Sequence, residues 1–183
     1  MTAQLLFIQG GGPGVHDEWD NELVASLERE LGPDWGVRYP RMPHEDDPKY
    51  ATWKLAIKQE IAELDNGAVL VGHSVGGTIL VNALAERAAD RHIGALILLA
   101  APFVGEGGWP SDEFTTPPDL GAKLPKDMPV HIFHGDKDKT APPAHAGLYE
   151  RAVPQACVHR LTGRDHQLGN DLGEVAATIK SLE

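Results

Sequence analysis

Short, wholly apolar segments that stop at glycine or proline recur along this chain, and helical periodicity follows most of them. Leu5-Leu6-Phe7-Ile8 stops before Gly10-Gly11-Gly12, Ala68-Val69-Leu70-Val71 runs into Gly72, Ile93–Ala100 meets Pro102, and Val130–His134 meets Gly135. Runs of about four to eight apolar residues between such breakers are strands buried on both faces, and strands of that kind require a parallel sheet covered by helices on both sides. The helices are legible from their spacing. Asp20–Leu31 repeats Leu23, Val24, Leu27 and Leu31 on one face, and Lys49–Leu64 repeats Trp53, Ile57, Ile61 and Leu64. Further helices are expected from about Val75 to Ala89, over Pro143–Arg151 and over Gly173–Leu182, with weaker strands at Trp35–Tyr39 and Ala156–Leu161. The fold class is therefore α/β: a mostly parallel sheet of about six strands between two helical layers. Val104–Pro129 is rich in Gly, Pro and Asp and has no period, so an irregular excursion is expected there.

Composition narrows the functional classes. A chain of 183 residues suits one domain, here taken as 1–183. Its formal charge of −11 opposes phosphate backbones and anionic lipid, so neither nucleic acid nor a membrane surface is an expected partner. Cys157 is the only cysteine, which excludes an intrachain disulfide and a multi-cysteine zinc cluster. Met1-Thr2-Ala3-Gln4 has no basic segment leading into a long apolar stretch, and a cytoplasmic location is expected.

In open parallel sheets ligands bind beyond the carboxyl ends of the strands. The segments to search are therefore Gln9–Val15, Gly72–Gly77, Ala101–Pro110, Gly135–Ala141 and Thr162–Asn170. One of them reads Gly72-His73-Ser74-Val75-Gly76, a G-x-S-x-G between a strand and a helix with no loop. A turn that sharp forces its central residue to positive φ, and side chains two positions away on either side would collide. The serine hydroxyl then stands above the sheet at a helix N-terminus.

A serine hydroxyl needs a base to take its proton, and the base needs a carboxylate to orient it. In this type of site the acid and then the histidine follow the serine along the chain. Three histidines lie late enough. His145 falls in a helical pattern and is expected to face solvent, and His159 lies within a strand. His166 lies in the loop after the last strand and is placed to reach Ser74. Asp136 and Asp138, in the loop after Val130–His134, are both candidates for the acid. The backbone N–H of Val75 and an N–H of the glycine loop, Gly11 with Gly12 as the alternative, are expected to face a developing oxyanion. The same loop fails as a dinucleotide fingerprint, because the third glycine position holds Val15.

Three segments taken together resemble the α/β-hydrolases: Gly72–Gly77, His134-Gly135-Asp136-Lys137-Asp138-Lys139-Thr140-Ala141-Pro142, and Gly163-Arg164-Asp165-His166. The second is similar to a family pattern whose acid stands three residues after the glycine, which selects Asp138. Ala141 replaces the usual valine there. The third is similar to the pattern that carries the family's base, His166. Gln9 replaces the histidine usual before the oxyanion glycines. With no room for a large cap domain, the chain resembles the small serine hydrolase group that includes retinoblastoma-binding protein 9. The resemblance implies a Ser74–His166–Asp138 triad acting on esters or related acyl bonds of a small-molecule substrate, with no metal or organic cofactor. Lyases, cofactor-free haloperoxidases and a non-catalytic protein-interaction module on the same scaffold are the alternatives.

Other residues have plainer readings. His131 and His134 fall on opposite faces of one strand, and His16, His44 and His92 lack partners at ligand spacing, so no metal site is expected. His73 reads as a hydrogen-bonding neighbour of Ser74, and Cys157 as a small core residue. Phe103, Trp109 and Phe114 either line an acyl pocket or anchor a loop, Gly12 borders the substrate, and Trp19 packs over the site.

Overall fold

The computed structural model describes residues 2–87 and 90–182. Its elements follow the chain as β1 (Ala3–Ile8), α1 (Asp20–Leu31), β2 (Trp35–Arg38), α2 (Tyr50–Ala62), β3 (Ala68–His73), α3 (Ser74–Ala85), β4 (Ile93–Leu99), α4 (Leu120–Lys123), β5 (Val130–Gly135), α5 (Ala144–Ala152), β6 (Cys157–Leu161) and α6 (Gly173–Lys180). All six strands lie parallel in one sheet, in the order β2-β1-β3-β4-β5-β6. The order reverses direction between β1 and β3, so a crevice opens beyond their carboxyl ends.

Alternation along each strand divides the core into two layers. Leu6, Ile8, Leu70, Leu96, Leu98 and Ile132 meet α2, α3 and α5 on one face. Leu5, Phe7, Val71, Ile97, Leu99 and Phe133 meet α1 and α6 on the other. Trp53, Ile57 and Ile61 of α2 are buried, as their helical spacing requires. The three-layer architecture expected from the sequence is therefore present. Among the described residues no helix is long and apolar enough to cross a membrane.

Several details differ from the sequence reading. α3 begins at Ser74 and ends at Ala85, short of Ala89; Ala88 and Ala89 lie outside the described residues. Val15–Trp19 forms a π-helical turn before α1. The connection from β4 to β5 is irregular as expected but holds the short α4, and among the described residues it builds no cap domain. His145 does not face solvent. It is buried, and its Nδ1 accepts the Phe103 N–H at 2.8 Å, because α5 turns this residue toward the β4 connection. Burial keeps this imidazole below its ordinary pKa, consistent with an accepting, neutral Nδ1. Cys157 is not a core residue. It is exposed, at the first residue of β6, the edge strand of the sheet.

Two glycines test this packing from opposite sides. A Cβ at Gly147, within α5, meets nothing within 4 Å, so Gly147→Ala is expected to raise unfolding stability. The gain should be about 0.4–1 kcal/mol in urea titration, through loss of freedom in the unfolded chain. A Cβ at Gly94 lies 2.2 Å from the Gly67 carbonyl oxygen, so Gly94→Ala is expected to lower stability in the same assay.

Candidate active site

The junction of β3 and α3 has no spare residue. His73 is still extended at φ −98°, and Ser74, the next residue, has φ +51°. Glycine surrounds this turn for steric reasons. A Cβ at Gly72 would lie 2.5 Å from the Gly77 Cα, one at Gly77 would lie 2.6 Å from the Gly72 oxygen, and one at Gly76 would lie 1.9 Å from the Gln9 oxygen. The last approach presses α3 against the end of β1, which brings the glycine loop beside the serine. Gly11 shows the same crowding, since a Cβ there would lie 2.8 Å from Val75 Cγ1.

Ser74 Oγ lies 2.9 Å from His166 Nε2, and His166 Nδ1 lies 2.8 Å from Asp138 Oδ2. A carboxylate only accepts, so Nδ1 carries the proton and Nε2 is left to accept from the serine hydroxyl. Asp138 is buried, and its Oδ1 accepts the N–H groups of Thr140 and Ala141 at 2.8 and 2.9 Å. Burial alone would raise its pKa. Hydrogen bonds from His134 and His166 outweigh that and hold it well below the usual carboxylate range. Asp136, the other acid considered, instead accepts the Gly163 N–H at 2.7 Å and is exposed. The arrangement can deprotonate a hydroxyl as it attacks and stabilise the imidazolium that results.

A second histidine–carboxylate pair lies beneath the first. His73 Nδ1 is 2.9 Å from both oxygens of Asp20, and His73 Nε2 is 3.0 Å from the His166 carbonyl oxygen. Both partners only accept, so both ring nitrogens carry protons and the ring is an imidazolium. Burial opposes that charge, but Asp20 prevails, leaving the His73 pKa raised and the Asp20 pKa lowered. Asp20 also accepts the Gly10 N–H at 2.7 Å. This buried pair thus ties together the glycine loop, the serine turn and the loop that carries His166. Asp20 escapes sequence reasoning because an aspartate opening a helix reads as a helix terminus. His73 is the hydrogen-bonding neighbour that the sequence suggests.

The remaining residues singled out from the sequence lie as follows. Gly12 has φ +140° and donates its N–H to the Glu45 oxygen at 2.6 Å. The Gly10 N–H is taken by Asp20, whereas the Gly11 N–H has no protein acceptor among the described residues. Gln9, in the histidine position of the pattern, is fully buried. It accepts the Met42 N–H at 2.8 Å and donates to Glu45 at 2.6 Å, which fixes the loop from below. The Phe103 ring packs edge-on against Tyr149 and borders a cavity of about 510 Å³ with Thr116 and Leu148. Trp109 packs edge-on against His145, and Phe114 stacks on Tyr50. All three aromatic residues thus make loop-anchoring contacts. Trp19, the last residue of the π-helical turn before α1, is 55% exposed.

A family model described as serine hydrolase matches residues 13–161. The chain belongs to the serine hydrolase family. The fold of this serine hydrolase recurs in solved structures. The ydeN gene product from B. subtilis is 16% identical, with a TM-score of 0.76 over 99% of this chain and 98% of that one. The esterase domain of a Rhodothermus marinus protein is 18% identical, with a TM-score of 0.67 over 98% and 85%. A bromoperoxidase from Bacillus anthracis is 16% identical, with a TM-score of 0.69 over 100% and 92%. A search of curated proteins found no matching sequence. The architecture of the hydrolase is therefore the α/β-hydrolase fold.

Asp20→Ala leaves the His73 imidazolium buried without its counter-ion, and a loss of about 3–5 kcal/mol is expected in urea unfolding near neutral pH. The pair's contribution also has a pH signature. A raised histidine pKa stabilises fully below the ordinary value of 6.5 and is lost as pH rises through the elevated one. The stability gap between the native chain and Asp20→Asn is therefore expected to narrow in alkaline buffer.

Proposed function

We propose that this serine hydrolase is a carboxylesterase-like enzyme that cleaves small acyl esters through an acyl-enzyme on Ser74. The single observation that carries the reading is the continuous hydrogen-bonded path from the Ser74 hydroxyl through His166 to Asp138, on a serine held at positive φ. In this mechanism Ser74 Oγ attacks the acyl carbon as its proton passes to His166 Nε2. The N–H groups of Val75 and Gly11 donate hydrogen bonds to the developing oxyanion. Gly12 keeps the adjacent backbone clear of side chains. The bond from acyl carbon to leaving oxygen then breaks, and His166 returns its proton to the departing alcohol. Water attacks the acyl-enzyme with His166 again as base, which releases the carboxylic acid and restores the serine. Asp138 stays ionised throughout and holds the imidazole in its productive tautomer. The reaction so written uses an ester, water and the chain's own groups.

A p-nitrophenyl ester series tests the proposal. Ser74→Ala is expected to reduce kcat by about 10³-fold or more and to abolish fluorophosphonate labelling. Asp138→Asn, which reverses the preferred imidazole tautomer, is expected to lower kcat by about 10⁴-fold with little change in KM. Full activity in the alanine variant would refute the mechanism. Peroxide-dependent halogenation without ester turnover would refute the substrate class.

A further inference from the structure

The parallel register between β5 and β6 pairs His131 with Cys157 and Phe133 with His159. Paired residues in adjacent strands share a face, as do residues two apart in one strand. His131, Cys157 and His159 therefore project from one side of the sheet, from two neighbouring strands. His131 Nδ1 and His159 Nε2 lie 3.0 Å apart, and these two nitrogens and Cys157 Sγ all fall within 4.8 Å of one another. The His159 ring lies flat on Phe133, with centroids 4.1 Å apart and planes 4° from parallel, which fixes the direction of Nε2 before any ligand arrives. His131 and Cys157 stand at or near the amino ends of their strands, whereas Ser74 and His166 meet at the carboxyl ends. The cluster is thus distinct from the candidate active site.

We propose that these three residues bind one zinc(II) ion, with the Cys157 thiolate, His131 Nδ1 and His159 Nε2 as ligands and a water in the fourth position. The donor set suits the cation: one thiolate and two imidazoles match a borderline ion and fit neither magnesium nor calcium. The dimensions also suit it. Zn–N bonds of about 2.0–2.1 Å and a Zn–S bond of about 2.3 Å set ligand-to-ligand edges of roughly 3.3–3.6 Å, within side-chain adjustment of the distances present. Binding releases the thiol proton to solvent and moves the proton shared by the two imidazoles to an outward-facing ring nitrogen. The ion would staple the edge strand β6 to β5. Sequence reading misses the site because it looks for partners along the chain, whereas the nearest partner of His131 lies across a strand pair.

Cobalt(II) titration of the reduced, metal-free protein tests the proposal, with zinc(II) as competitor. One equivalent is expected to produce a thiolate-to-cobalt charge-transfer band together with the visible bands of a four-coordinate ion, and zinc is expected to abolish both. Cys157→Ser, at an exposed position, is expected to fold normally by circular dichroism and to lack the charge-transfer band. His131→Gln and His159→Gln are expected to weaken binding about tenfold or more. Zinc is expected to raise the Tm of the native chain and not that of Cys157→Ser. The absence of a thiolate band at one equivalent would overturn the proposal. So would equal cobalt affinity in the native chain and Cys157→Ser, which would place the ion on other histidines. None of these readouts depends on ester turnover.

Discussion

The carboxyl edge of the sheet is organised by how closely the first turn of α3 approaches the end of β1. The approach is possible only because position 76 has no side chain, since a Cβ there would sit inside the Gln9 carbonyl. It sets the positive φ of Ser74 and brings Gly11 against Val75. It also places the free N–H groups of a helix start and a glycine loop around one point in space. Backbone strain of this kind costs on the order of 1–3 kcal/mol and persists only where surrounding packing imposes it. Here the surroundings are β3 and β4, whose residues are almost wholly buried.

Around that turn the electrostatics form two tiers. Asp138 faces His166 and His134, and Asp20 faces His73. The two histidines nearest the serine have opposite tasks. His166 keeps one nitrogen free to accept a proton, whereas both nitrogens of His73 are engaged as donors. The partners decide this difference: the His73 ring lies between a carboxylate and a carbonyl, and the His166 ring between a carboxylate and a hydroxyl. A charged, fully buried His73 is stable only with Asp20 beside it, which explains why Asp20 is buried despite opening a helix.

How far the amino-acid sequence discloses this arrangement depends on the length scale of each interaction. The glycine spacing around Ser74, the apolar strand runs and the helical faces are local patterns, and the structure follows them to within a few residues. Apart from the family pattern that favours Asp138, nothing local distinguishes Asp136 from Asp138. They are separated in space because Asp136 turns to Gly163 and Asp138 turns inward. Cross-strand relations are invisible along the chain. The exposure of Cys157 and the meeting of His131 with His159 arise from which strand lies at the edge and which residue faces which across the register, and the burial of His145 from a contact between α5 and the connection after β4. The Asp20–His73 contact spans 53 residues and has no periodic signature.

The bond between the Ser74 hydroxyl and the His166 imidazole closes a loop of 92 residues, and β4, β5 and β6 lie within that loop. Contacts so distant along the chain form late, because loop-closure entropy is lost before they can compensate. During synthesis the serine leaves the ribosome long before its imidazole partner exists. A nascent or truncated chain therefore carries an unactivated hydroxyl, and a reactive one signals that the sheet has been completed through to its final strand.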